Sequence, residues 1–483
     1  MSEPSSKPQS LSERAARALG VNMLNTLAFR LGTLVIGIAL ARILGPEQFG
    51  VFAVAQVALM GALSFYELGV SLAIVRWPDP PEEIAPTVAT ISTLSSLVIF
   101  AAAFLAAPWF SAAMGAPEAT EVVRLLSVNV VIAGVVATPM ALMQREFQAG
   151  RRMVIDQLNS WLGALVSIGT ALAGMGAMSL AVGRLAGAGA GALLFIHYAP
   201  FRFGFDREVA RRLLDFGLPL AGASIVVFGV TYVDQLIVGA VLGPVALGFY
   251  VLAFNLSSWP VNILSQPVRQ VLPAAFARLQ RDPATLRSAF VSSTGLLAAA
   301  TLPICLVLTG AAEPIVNVVY GTEWGPAASV LWCLGLVAAL RIFFELVYDY
   351  FVVVGDTRLI FSVQVAWLVA LVPALYVGAS SAGIEGAGVA QVLVAAFVVL
   401  PIYLVRLHSH GIAWRSLAAC VAAPLAFGAG VVGVALAAAE LIPLDMVALA
   451  VAGAGLLVAL ALEARSMRAT FQRLRVVLDS GAA

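Results

Sequence analysis

Long apolar stretches alternate with short polar connections along almost the whole chain. A helix needs about 20 mostly apolar residues to cross a bilayer core. Fourteen stretches meet that measure, near residues 21–43, 49–74, 84–107, 122–143, 152–173, 177–199, 213–241, 247–272, 287–311, 327–353, 358–379, 385–406, 414–438 and 445–464. The pattern predicts an all-α polytopic membrane protein of about fourteen transmembrane helices.

One connection occurs twice. LGPEQFGVFAVA at Leu44–Ala55 returns as LGPVALGFYVLA at Leu242–Ala253, with Leu, Gly, Pro, the second Gly and the final Ala in register. Each copy follows one apolar run and opens the next, so each is expected to be a tight turn holding two spans together. Span 1 then matches span 7 and span 2 matches span 8, which makes the repeat unit six spans. Six is even, so both copies run in the same sense, related by an axis along the membrane normal. The expected organisation is a cytoplasmic tail over 1–20, an N-lobe of spans 1–6 over 21–200 and a C-lobe of spans 7–12 over 201–410. Spans 13 and 14 follow over 411–465, outside the duplication and in a peripheral role, and a cytoplasmic tail covers 466–483.

Composition and charge placement agree. The 483 residues are 61% hydrophobic and 11% charged, against about 25% charged in soluble domains. With both termini in the cytoplasm, the inside connections collect most of the 27 Lys and Arg residues, among them Arg76, Arg145, Arg151, Arg152, Arg207, Arg211, Arg278, Arg358 and Arg415. The outside connections hold Glu47, Glu118, Glu313, Glu323, Glu385, Glu440 and Asp445 instead. Cytoplasmic loops collect positive charge, and a miscounted span would scramble this alternation. The polar, then basic, first twenty residues lead into a first span without a secretory cleavage site.

Charges inside spans are the candidate chemistry, since each costs about 2.5–3.5 kcal/mol at mid-bilayer unless paired or hydrated. Span 1 carries Asn22, Thr26, Arg30 and Thr33 at helical spacing, and span 2 carries Gln56, Ser64, Glu67 and Ser71. Span 8 has Asn255, Ser258, Asn262, Gln266 and Arg269; span 10 has Arg341, Glu345 and Asp349 at successive i+4 positions. Asp234 lies in span 7, Arg184 in span 6, and Asp156 with Asn159 in span 5. The stripes fall mostly on corresponding helices of the two halves, as a hydrated cavity between lobes would require. Its guanidinium groups would face an anionic cargo, because the planar fork of Arg binds oxyanions bidentately. Arg341 and Glu345 either line that cavity or neutralise each other along one helix. Arg30 has no acid one turn away, and Arg269 and Arg76 read as snorkelling anchors.

Other motifs carry less. GRLAGAGAG at Gly183–Gly191 has no strand before it and reads as helix packing through small residues, not a nucleotide loop. Cys305, Cys333 and Cys420 sit in apolar runs with no metal or disulfide spacing, and the His408/His410 pair has no further ligands nearby. No Walker motif, catalytic triad pattern or nucleic-acid patch is present. The expectation is a non-enzyme without cofactor or metal and without a nucleic-acid partner.

The segment ILGPEQFGVFAVA, residues 141–158 (ALMQREFQAGRRMVIDQL) and the block from Tyr232 to Asp282 resemble the Wzx-type polysaccharide transporters. The likeness is closest to the colanic-acid-exporter-like branch of the multidrug/oligosaccharidyl-lipid/polysaccharide exporter superfamily, and it covers nearly the whole chain. It implies two six-helix lobes in a V, alternating access, and transfer of polyprenyl-diphosphate-linked oligosaccharide from the inner to the outer leaflet of a bacterial plasma membrane. Polysaccharide polymerase and chain-length machinery would be partners, with membrane lipid around the polyprenyl tail. The cavity candidates are Arg30, Asn22, Thr26, Gln56, Glu67, Asn255, Asn262, Arg341 and Glu345; coupling to an ion gradient would use Glu67, Asp234 or Glu345. The alternatives are a multidrug exporter, which would want an acid where span 1 has Arg30, a lipid II exporter of the same fold, and a non-transporting scaffold. The two copies differ at this point: the position of span 7 that matches Arg30 is Phe228.

Overall fold

The computed structural model describes residues 11–66 and 69–467, with backbone alone for 11–31 and without the side chains of a few scattered helical residues. Those residues form helices and no strand. The bilayer gives a backbone group nothing to bond, so the chain must satisfy its own N–H and C=O groups along each segment. In the first half, α1 (Leu11–Leu63), α2 (Ser71–Arg76), α3 (Pro81–Ala113), α4 (Thr120–Arg145), α5 (Ala149–Leu172) and α6 (Met178–Tyr198) pack together. The second half contains α7 (Arg207–Leu242), α8 (Pro244–Ser257), α9 (Gln266–Arg278), α10 (Pro283–Gly310), α11 (Ala312–Val319), α12 (Pro326–Val354), α13 (Thr357–Val394) and α14 (Leu400–Ser409). Finally α15 (Trp414–Leu441) and α16 (Asp445–Ser466) lie against α10.

The repeated turn has one geometry in both places. Gly45 interrupts α1 at φ 70°, ψ 172°, and Gly243 separates α7 from α8 at φ 83°, ψ −177°. That region is open almost only to glycine. The proline after it starts the next helix, where its missing N–H costs nothing.

Among the described residues, ten helices are long and apolar enough to cross a membrane, or eleven if the pair Arg207–Gly222 and Val227–Leu242, bent by 41°, is one span. The expected fourteen is therefore not reached on that criterion, for three reasons. The breaks at Gly45 and at Ala382–Gly383 each join two expected spans into one continuous helix. The third is α5, where Asp156, Gln157 and Asn159 dilute the apolar run.

Packing distinguishes the two ends of the bundle. At the end bearing the LGP turns, one core draws on both halves, with Val54, Leu59, Leu126 and Ala181 packed with Val238, Tyr250, Trp324 and Leu331. At the opposite, arginine-rich end the cores are separate. One holds Phe276, Phe290, Tyr350 and Tyr403 of the second half, and the others hold Ile74, Val88, Met143 and Ile155 of the first. Helix α7 bridges the two. Its first turns pack on the first half through Leu213, a Phe216–Trp77 ring contact at 5.8 Å and an Arg212–Asp79 ion pair at 3.2 Å. Beyond the bend it packs on α13 of the second half. Asp206, Asp282 and Asp356 cap α7, α10 and α13 at this same end by accepting backbone N–H bonds.

Gly183, Gly187 and Gly191 do pack α6 closely on α5, as the small-residue run predicted: an added methyl at Gly187 would meet the backbone and side chain of Asn159. Gly189 faces open space. Gly187→Leu is thus expected to lower the melting temperature in detergent by several degrees or to abolish insertion, and Gly189→Leu to leave it within about a degree. Equal melting temperatures for both variants would refute the close-packing account.

Candidate functional site

Span 8 reaches the site by a widened path. After α8 the chain turns through Pro260 into a π-helical turn, Val261–Ser265, in which the Gln266 N–H bonds the Val261 carbonyl. A second π turn, Ala395–Val399, precedes α14. In each case a proline, Pro267 or Pro401, follows by two residues. A proline has no N–H for the carbonyl four residues back and its ring crowds it, so the preceding turn opens out. Ser265 and Tyr403, on or next to these turns, both reach the same group of residues.

That group surrounds a cavity of about 330 Å³ inside the second half. Asp234, Arg269, Arg341, Glu345, Gln364 and Gln391 supply its polar lining, among Phe254, Trp367 and Tyr403. Two further cavities, about 490 and 630 Å³, are almost wholly apolar in lining. Convergent polar groups in an otherwise apolar bundle single out the smallest of the three.

Both of its arginines are paired. Arg269 grips Asp349 with Nε at 2.6 Å and a terminal nitrogen at 2.8 Å, and reaches Glu345 at 3.2 Å. Arg341 bonds Glu345 through Nε at 3.3 Å, and the Ser265 hydroxyl donates to Glu345 at 3.4 Å. Two guanidinium groups thus meet two carboxylates, and α9 is tied to α12. This corrects one expectation: Arg269 does not snorkel to the interface, because Asp349 and Glu345 hold it in place. Of the two outcomes open for Arg341 and Glu345, both features are present, since the two residues pair and also line the cavity.

Deeper, toward the turn end, Asp234 is 3% exposed. It accepts from the Tyr250 hydroxyl at 2.9 Å, the Gln391 amide at 2.8 Å and the Gln235 N–H at 2.8 Å. The Gln391 amide also donates to the Tyr250 oxygen at 2.6 Å. No ion pair to Asp234 is found among the described residues, so three neutral donors hold the carboxyl group.

The first half offers a different chemistry. Half-buried Arg184 of α6 donates to the Gln56 carbonyl oxygen at 2.7 Å, and no ion pair to it is found among the described residues. One hydrogen bond to a charged group contributes about 1.5–3 kcal/mol, which at best offsets the insertion cost of about 2.5–3.5 kcal/mol. The cation still requires water or an anion beside it. Of the expected site residues, Gln56, Arg341, Glu345 and Asp234 thus belong to the two polar clusters. Asn255 and Asn262 are exposed and lie outside the cavity lining. The side chains of Asn22, Thr26 and Arg30, and the whole of Glu67, lie outside the described residues. Sequence reading did not name Tyr250 and Gln391 as site members; it counted Arg184 among the charges within spans but not among the cavity candidates.

With this geometry the protein is a multi-pass helical membrane protein, and its fold is shared with solved membrane proteins. It is similar over 92% of its length to the structure of "Lipid II flippase MurJ, inward closed conformation", with TM-score 0.72, 13% identity and 99% of that chain covered. It is also similar to an inward-facing multidrug resistance MATE family transporter of the MOP superfamily, with TM-score 0.61, 17% identity and 78% and 95% of the two chains covered. Residues 39–329 match the family described as "Polysaccharide biosynthesis protein", and the chain belongs to that family. Among curated relatives, the succinoglycan biosynthesis transport protein ExoT of Rhizobium meliloti (strain 1021) is 28% identical over 62% of this chain and 60% of its own length. The lipopolysaccharide biosynthesis protein WzxC of Escherichia coli (strain K12) is 25% identical over 74% and 73%. The chain therefore spans somewhat under two thirds of the first relative and somewhat over two thirds of the second.

The bidentate pair sets a stability expectation. Removing one partner of a half-buried pair leaves the other charge unmatched and costs about 3 kcal/mol, whereas replacing both by apolar groups is nearly neutral. Asp349→Ala should lower the unfolding temperature clearly, and Arg269→Met with Asp349→Leu should restore most of the loss. A double variant as unstable as the single one would rule this out.

Proposed function

We propose that this protein is a flippase for lipid-linked oligosaccharides, moving polyprenyl-diphosphate-linked glycan from the inner to the outer leaflet of a bacterial plasma membrane by alternating access. The observation that carries the reading is the pair of polar clusters in the apolar bundle, one cationic and one built on paired ions. The family membership and the names of the relatives support it. The arginine-rich end, with both termini, would face the cytoplasm, so the separate cores there correspond to an inward-facing state. The lobes would be residues 21–200 and 201–410, with α15 and α16 outside them.

Arg184, and Arg30 on span 1, would receive the diphosphate, since each is a cation without an acid on the same helix turn. The amide, hydroxyl and carboxylate groups around the 330 Å³ cavity suit sugar hydroxyls, which need donors and acceptors in balance. Asn255 and Asn262 are exposed polar groups on span 8 that would serve the same glycan. The tail would remain in lipid, beside the apolar cavity of about 490 Å³ between α1, α3, α4 and α7. Asp234, Glu345 and Glu67 are the candidates for coupling to an ion gradient; polymerase and chain-length proteins are the candidate partners. A multidrug exporter for cations is disfavoured by Arg184, the first-half charge beside Gln56.

Loss of one charge-assisted bond worth about 1.5–3 kcal/mol corresponds to about tenfold or more in transport rate. Arg184→Ala is expected to slow translocation of a lipid-linked oligosaccharide in proteoliposomes by about that factor, with normal insertion, and Arg184→Lys to keep part of the rate. In cells, the Ala variant should accumulate lipid-linked repeat units. Unchanged transport in Arg184→Ala, Arg30→Ala and Arg341→Ala combined would sink the cationic-site reading.

A further inference from the structure

The residues of the duplicated turn do more than reverse the chain, because the two copies meet. A methyl group on Gly50 would run into the Pro244 carbonyl, its carbon only 2.7 Å away. One on Gly248 would stand 3.0 Å from the Gly50 Cα and 3.0 Å from the Pro46 carbonyl oxygen. Pro46 and Gly50 belong to the first copy of the motif, Pro244 and Gly248 to the second. The second glycine of each copy therefore sits on the proline of the other. Only a hydrogen at both Cα positions permits backbones to approach so closely.

Two ties surround this crossing. Trp324, 1% exposed, takes the Phe49 ring edge-on at 5.4 Å and the Phe249 ring at 5.9 Å. Phe49 precedes Gly50 and Phe249 follows Gly248, so the indole touches both copies at once. Exposed Arg42, at the end of the first arm of α1, donates from Nε to the Val319 carbonyl at 2.9 Å and from a terminal nitrogen to the Val318 carbonyl. Those carbonyls end α11, where a helix leaves acceptors unsatisfied.

We propose that the duplicated LGP…G motif is the gate at the turn end: a reciprocal glycine-on-proline crossing with Trp324 as its plug and Arg42 as its latch. It is closed in this conformation and parts when the other end closes. The idea rests on the alternating-access reading above. The make-up of the contact suits repeated opening. Glycine against backbone gains only dispersion, about 0.1–0.2 kcal/mol per atom pair, and water can replace the bonds of an exposed arginine. The ion-pair network of Arg269 stays within the second half and need not break.

The test uses Val54→Cys, at a fully buried position one turn from Gly50, in nanodiscs, probed with a water-soluble maleimide against the parent carrying its native cysteines. In the otherwise unchanged protein the introduced thiol should be protected. Adding Gly248→Leu should raise its labelling about tenfold or more by holding the crossing apart, and Gly248→Ala should do so to a lesser degree. Gly430→Leu, at a glycine facing open space, should leave it protected. A monodisperse Gly248→Ala or Gly248→Leu protein with the introduced thiol still protected would overturn the gate. Independently, Phe49→Cys with Trp324→Cys, joined by a short, reducible thiol-specific cross-linker, should stop lipid-linked oligosaccharide transport until reductant is added. Continued transport with the link formed would overturn the gate too. If the unlinked protein moves no such lipid while Gly248→Leu still exposes the thiol at position 54, the gate stands and the flippase reading fails.

Discussion

The bilayer interior supplies no hydrogen-bond partners, and the rest of the molecule follows from that. It forces the backbone into helices, which must then be joined in very few residues at the surface. It also means that every charge within a span must be met by a partner, by water or by cargo. The three solutions are visible side by side. Arg269 is met by Asp349 and Glu345, Asp234 by three neutral donors, and Arg184 only in part, by Gln56. The group met least well by protein is the one with most to gain from a ligand.

Duplication supplied the frame and divergence the chemistry. Both copies of the LGP turn place glycine in the same backbone region, at Gly45 and Gly243, so the helix pairs they join are set in the same way. The linings of the two halves then differ. The second half places its paired ions around a cavity whose lining helices carry two π turns, and the first presents an arginine beside an amide. Such an arrangement can hold the negative and the neutral parts of one amphiphilic molecule on different walls. A shared core at one end and separate cores at the other give the halves a natural line along which to part.

Patterns that are local in the chain are legible in the sequence. The Arg341–Glu345 pair, four residues apart on one helix, is one of two outcomes that spacing allows, and close packing by Gly183–Gly191 follows from small-residue spacing. The helices themselves are read from apolar length. What length does not settle is their count, because Gly45 and Gly383 break helices without ending them and α5 is too polar to pass as a span by composition.

The sequence by itself determined an all-helical membrane bundle and the positions of its two glycine turns, since apolar run length and the conformational freedom of glycine are properties of neighbouring residues. Only the tertiary structure decided which polar groups meet. Arg269 finds Asp349 from another helix, and Asp234 finds Gln391 from the far end of the second half. It alone showed that the two turns lie against each other with Trp324 between their phenylalanines. Pairings between helices depend on rotation and depth in the bundle, and a chain of apolar segments records neither.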